Sequence, residues 1–161
     1  MGAGKDEFPP LLAAGLHKIT AEVLKKATVT DFPLSTTREG LWKNFEFVLG
    51  ALAGAGIPCD IWVDGSFLTK KIDPKDVDFV VDIPIEVAEN GTPEQLLFIQ
   101  NLAGQLYRKS DQLHSFVMFT APSGHVAHSV MVHAHAQWEK DFGFSYVSKE
   151  PKGIALVEVV P

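Results

Sequence analysis

Asp76 and Asp78 stand two residues apart in Asp76-Val77-Asp78-Phe79-Val80-Val81, the most chemically informative spacing in the chain. Residues two apart on a β-strand project from the same face, and a rise of ~3.3 Å per residue sets their Cα atoms roughly 6–7 Å apart. Carboxylates so placed can share hard cations, and oxygen ligands suit Mg²⁺ or Mn²⁺. In two-metal sites the ions lie ~3.5–4 Å apart, activate an attacking oxygen and steady a transferring phosphoryl group. Upstream, the apolar run Ile61-Trp62-Val63 stops at Asp64-Gly65-Ser66. Glycine lets a backbone approach phosphate with no Cβ in the way, and the serine adds a hydroxyl. Lys70, Lys71 and Lys75 lie between the two halves, where they can meet phosphate oxygens or stay solvated. The plainer reading of Asp76 and Asp78 is an acidic edge strand facing water, with Ser66 capping the short helix at Phe67. Asp64 and Asp82 read as a turn residue and a surface group.

Five of the six histidines fall between residues 114 and 135: His114, His125, His128, His133 and His135. On a helix His133 and His135 point apart, and His128 and His135 share a face but are too distant to chelate one ion, so polar helix or interface positions are favoured over zinc. The single cysteine, Cys59, excludes an intrachain disulfide and a multi-cysteine zinc site, and it suits a reducing compartment. Cys59 reads as a small buried hydrophobe, and Trp42, Trp62 and Trp138 as core or interface aromatics. Gly2-Ala3-Gly4-Lys5 has no strand before it and no Ser or Thr after the lysine, so it does not read as a phosphate loop; Gly2 with Asp6 also misses the myristoylation pattern.

The elements that must position these groups follow from punctuation and periodicity. Phe8-Pro9-Pro10 opens an extended arm, and Thr20 caps a short helix from Ala21 to about Ala27. Thr36 and Glu39 have capping-box spacing, and Leu41, Phe45, Val48, Leu49 and Leu52 carry a helix from about Thr37 to Ala55. Strands are predicted over Asp60 to Asp64, Asp76 to Ile83, Leu113 to Thr120 and Lys152 to Val160. Helices are predicted from Thr92-Pro93 to about Arg108 and from Val126 to Phe142.

The 161 residues carry 14 Lys+Arg against 20 Asp+Glu, a net charge of −6 with His neutral, and 46% are hydrophobic. One domain over residues 1–161 is expected, with 1–19 as its extended N-terminal arm. The acidic balance argues against nucleic acid as partner, since that affinity comes from Lys and Arg neutralising phosphates. No apolar run approaches the ~20 residues of a membrane helix, and Met1 to Glu7 lacks a signal peptide's apolar segment, so the expectation is a cytoplasmic protein.

From Asp60 to Asp82 the sequence resembles the nucleotidyltransferase superfamily typified by DNA polymerase beta, with its apolar strand, Gly-Gly or Gly-Ser, short helix and Asp-x-Asp on the next strand. The whole chain also resembles an uncharacterised bacterial family of short nucleotidyltransferase-like proteins, through Phe8-Pro9-Pro10, Gly15-Leu16-His17, Asp64-Gly65-Ser66-Phe67, Trp138 with Phe142-Gly143, and Lys152-Gly153-Ile154. The expected fold is α+β, a small mixed β-sheet of about four or five strands with helices packed mainly on one face.

The resemblance implies transfer of a nucleoside monophosphate from a nucleoside triphosphate to an acceptor hydroxyl, with release of pyrophosphate. Asp76 and Asp78 would hold Mg²⁺ or Mn²⁺, and Gly65, Ser66 and Lys70 the triphosphate. Active members add a third carboxylate on a later strand, and His114 to Phe119 contains none. Asp111, at the entry to that strand, is the preferred candidate, and Glu158 on the last strand is another. The gap supports a second reading: a catalytically degenerate fold acting through a protein partner, as in a toxin–antitoxin or defence pair. Acceptor, base preference and oligomeric state are not specified by these residues.

Overall fold

A computed structural model describes residues 5–161, so the Gly2-Ala3-Gly4 positions lie outside the described residues. The chain runs β1 (Gly15–Lys18), α1 (Ala21–Lys25), a π-helical turn (Lys26–Thr30), α2 (Arg38–Gly54), β2 (Cys59–Asp64), a 3-10 turn (Ser66–Leu68), β3 (Val77–Pro84), α3 (Ile85–Asn90), α4 (Pro93–Ala103), α5 (Arg108–Asp111), β4 (Leu113–Thr120), α6 (His128–Phe142) and β5 (Gly153–Val159). The strands form one five-stranded sheet in the order β1-β5-β2-β3-β4. β5 is parallel to β1 and antiparallel to β2, β2 is antiparallel to β3, and β3 is parallel to β4. The result is a small α+β fold on a mixed sheet.

Alternation along the strands decides what each face does. On one face Ile61, Val63, Val77, Phe79, Val81, Ile83 and Val157 meet Leu41, Phe45, Val48 and Leu52 of α2 and Ile99 and Leu102 of α4. Phe45 packs edge-on against Trp42 and Phe79, with ring centroids 5.7 and 5.3 Å apart. The other face presents Trp62, Val80, Met118 and Ile154 to a single helix, α6, through Trp138 and Phe142. Helices therefore lie mainly on one face, because only that face is apolar along its whole length.

Local chemistry explains where the element ends differ from expectation. Thr20 caps α1 by accepting from the Val23 N–H, and Thr92 with Gln95 forms a complete capping box at α4. The Thr36–Glu39 box does not form. Ser35 Oγ accepts from the backbone N–H groups of Thr37 and Arg38 at 3.3 and 3.1 Å, while Asp73 takes the Thr36 N–H at 2.7 Å. α4 stops at Ala103 rather than continuing to Arg108 because Gln105 is left-handed at φ 62° and its side-chain amide donates to the Ser115 carbonyl of β4. α6 starts at His128, two residues after the expected Val126, where the His125 ring accepts from the Ala127 N–H. The arm is fastened at Pro9 and Leu11, which pair with Lys70 and Leu68, and it ends as edge strand β1. α3 carries no signal that the periodicity picks out. Among the described residues no helix is long and apolar enough to cross a membrane.

Candidate functional site

Register builds the site. β2 and β3 are paired so that Asp64 stands level with Asp78, and the parallel β4 brings His114 level with Asp78 on its other side. The three lie in one row on the α6 face of the sheet. Gly65 follows at φ 75°, ψ −165°, a region open essentially to glycine alone. A Cβ there would sit 2.0 Å from Asp78 Oδ2, so this glycine is required by the approach of a carboxylate.

The loop after Ser66 is held by a residue that sequence reasoning passed over. Arg38, in the first turn of α2, is fully buried and donates to the carbonyls of Thr28, Phe67, Thr69, Lys71 and Ile72 at 2.8, 2.7, 2.8, 2.6 and 3.3 Å. Its guanidinium also stacks 3.8 Å from the Phe32 ring centroid. Burial pushes this group down to about 10 against the opposing pull of the Asp73 charge. The available signal was position: Arg38 shares the helical stripe of Leu41, Trp42 and Phe45, where an arginine has to find buried acceptors.

Asp64 and Asp78 each have a nitrogen-bearing side chain against them. His114 Nδ1 lies 2.8 Å from Asp78 Oδ1. Lys152 Nζ lies 2.8 Å from Asp64 Oδ1, at an angle outside hydrogen-bond geometry, so the contact is ionic. Burial pushes Asp64 up to about 6 against the pull of Lys152. Burial also raises Asp78, and the Asp76 charge adds to it, while the His114 bond opposes both.

Above the row is a cleft of about 810 Å³ whose lining includes Asp64, Gly65, Asp78, His114 and the four lysines Lys5, Lys140, Lys149 and Lys152. One wall is an aromatic series: His114 on Phe116 at 4.5 Å between centroids, Phe116 on Trp138 at 4.9 Å, and Trp138 on Phe142 at 5.2 Å. The rim carries Phe144 and Tyr146 on the loop from α6 to β5. That loop is tied to the N-terminal arm, since the Glu7 carboxylate accepts from the Val147 and Ser148 N–H groups at 2.5 and 3.1 Å.

Of the predicted site residues, Gly65 and Asp78 meet in the cleft, and Asp76 is near enough to act on Asp78 electrostatically. Ser66 opens the 3-10 turn, its carbonyl accepting from Thr69 Oγ1 at 2.8 Å, and its side chain is not part of the cleft lining. Lys70 lines a different groove, with Leu11, Phe32 and Leu34. Asp111 ends α5, where its carboxylate accepts from Ser110 Oγ at 2.7 Å and its carbonyl from Asn44; it does not line the cleft. Glu158 pairs with Lys18 at 2.9 Å and stands level with Asp60, at the opposite end of the sheet.

The acidic group that strand register brings to Asp78 is therefore Asp64, a buried residue rather than a turn residue. Asp82 is also buried rather than a surface group, accepting from Thr120 Oγ1 at 2.7 Å with His135 Nε2 at 3.3 Å. The histidines go to separate partners: His125 to Glu89 and His128 to the Ala121 carbonyl, each at 2.8 Å.

The donor set does not fit the closed Mg²⁺ or Mn²⁺ cage that the resemblance implies. Among the described residues no three His, Cys, Asp or Glu side chains are grouped to hold a metal ion. The strand beside β3 offers an imidazole level with Asp78 where a carboxylate is needed, and one oxygen each of Asp64 and Asp78 is already engaged.

No curated protein and no solved structure matches the chain. With the exception of Lys5, the residues that line this cleft, from the Gly-Ser turn and the Asp-x-Asp strand to Lys152, fall within residues 6–158, over which the chain belongs to DUF6932, a family of unknown function.

Proposed function

We propose that this chain binds a nucleoside triphosphate in the cleft over Asp64, Asp78 and His114, and that it does so as a catalytically degenerate relative of the nucleotidyltransferase fold. The observation that carries the reading is the meeting of four lysines and an aromatic wall in one cleft of about 810 Å³. Ammonium groups supply the charge a triphosphate requires. Phe116, Trp138 and Tyr146 offer faces on which a base can stack, each such contact worth about 1–3 kcal/mol in single-strand nucleic-acid binders. The volume lies in the range of small-molecule and cofactor sites.

The degenerate reading is supported by the His114–Asp78 hydrogen bond and the Lys152–Asp64 ion pair, which take up carboxylate oxygens that a transferase would give to metal. Titration calorimetry with ATP, GTP, CTP and UTP tests the binding. Saturable binding of at least one is expected, weakened several-fold by Trp138→Ala; heat indistinguishable from dilution for all of them overturns the reading. With α-labelled nucleotide and the chain's own side chains as acceptors, no label is expected to transfer. Labelled protein would restore nucleotidyl transfer, with Asp64 as the third acidic group.

A further inference from the structure

Resting on the nucleotide reading, we propose that the cleft takes the triphosphate as a free polyanion, without a divalent cation, because the Lys152 ammonium and the His114 ring already occupy the carboxylate oxygens of Asp64 and Asp78 that a metal would need. The two contacts are not loose surface contacts. Lys152 and Asp64 keep 13% and 7% of their side-chain surface exposed, and His114 and Asp78 keep 23% and 25%.

For a metal to reach Asp64 it must displace an ammonium 2.8 Å away and leave that ammonium in the same cleft, where the two like charges repel. Mg²⁺ gives up its water reluctantly and asks for near-octahedral oxygen ligands. The group standing level with Asp78 on β4 is an imidazole, which Mg²⁺ does not favour, and it engages the oxygen that would otherwise be open.

The mouth of the cleft has the opposite character. Lys149 Nζ and Lys5 Nζ lie 5.0 and 5.9 Å from the centroid of one ring, that of Tyr146. Among the described residues, Lys5, Lys140 and Lys149 have no carboxylate within 4.0 Å; the lysine ion pairs are those of Lys18, Lys26 and Lys152. Of the nearby acids, Glu7 is spent on backbone N–H groups of the rim, and Asp141, which also lines the cleft, accepts from the Gln137 amide. Unpaired ammoniums converging on a rim attract an anion most strongly when none of its charge is cancelled beforehand, which favours the free triphosphate over its metal complex.

Calorimetry on the full chain with ATP, once in EDTA and once in excess Mg²⁺, tests the proposal. A dissociation constant in EDTA equal to or lower than that in Mg²⁺ is expected. Binding tighter by more than about tenfold in Mg²⁺ overturns the proposal and leaves the nucleotide reading intact. Absence of binding in both buffers overturns the two together. A second measurement needs no nucleotide: Mn²⁺ titrated against the chain alone and followed by its electron paramagnetic resonance signal should find no tight site. Lys152→Asn, by freeing Asp64, should raise the affinity for Mn²⁺ measurably. A tight Mn²⁺ site on the unmodified chain, or a folded Lys152→Asn that gains no Mn²⁺ affinity, refutes the role given to Lys152.

Discussion

The two faces of the sheet are built from the same strands and serve opposite ends. The face toward α2 and α4 is closed: its odd-numbered strand residues are mostly Val, Ile and Phe, with Cys59, Leu113, Ala155 and a hydrogen-bonded Ser115 among them, and the one charged group buried there, Arg38, has its N–H groups taken up by carbonyls. The face toward α6 carries Asp60, Asp64, Asp78, Asp82 and His114 at even positions, and one helix covers it only in part, leaving the cleft. The closed face gains stability by removing apolar surface from water. The open face gives some of that up to hold charges in a half-dry setting, where each electrostatic contact is stronger than in water. The alternation that makes a sheet two-sided lets one short strand, β3, serve both purposes.

The largest effect expected from this contrast is in packing. Phe79→Ala, at a fully buried ring against Phe45, should cost about 3–5 kcal/mol. Phe116→Ala, at a half-buried ring beside the cleft, should cost only about 1 kcal/mol. Urea denaturation of both variants measures the difference, and equal losses would break the distinction between the faces.

The next effect is in pH. Unfolded Asp64 releases its proton near the ordinary value of about 4, whereas burial holds it in the folded chain to about 6. Within that window the native state binds the extra proton, so stability falls as pH rises from about 4 to 6, by up to about 3 kcal/mol from this residue. Asp60, Asp78 and Asp82 are raised in the same direction, so the whole face contributes. The difference in stability between the unmodified chain and Asp64→Asn, followed across that window, isolates the one group. A difference that does not vary with pH would move the charge burden elsewhere on the face.

The smallest effect tests the turn between the faces. Gly65→Ala puts a methyl group where Asp78 Oδ2 now lies and forces a backbone region that alanine avoids, so a loss of about 1–3 kcal/mol is expected, together with displacement of Asp78 from His114. Thermal denaturation reads the first, and the His114 ring resonances read the second. An unperturbed His114 would show that the turn relaxes freely.

Much of this was legible in the residues. Leu113 to Thr120 is a strand at the expected bounds, the Asp60–Asp64 and Asp76–Ile83 strands shift by a single residue at their ends, and Thr20 and Thr92 cap the helices they were expected to start. These features rest on local rules: side-chain period, proline's fixed φ and the short reach of a capping hydroxyl. Asp78 and Gly65 also fall together as their spacing suggests, because a strand, a turn and the next strand are a single local unit.

The partners of those residues were not legible, because they come from sequence neighbours as remote as His114, Lys152, Glu7 and Arg38. Asp111 was preferred as third carboxylate for being close to β4 along the chain, yet α5 leaves it outside the cleft, and strand register selects Asp64 in its place. By itself the sequence determined most of the strands and helices, β1, α3 and α5 excepted, and that Asp78 lies on a strand just after the Gly-Ser turn, since those depend on interactions within a few residues. Only the tertiary structure decided that an imidazole and an ammonium would stand against Asp78 and Asp64, because the order and register of strands are set by burying the whole apolar face at once, and no local stretch contains that information.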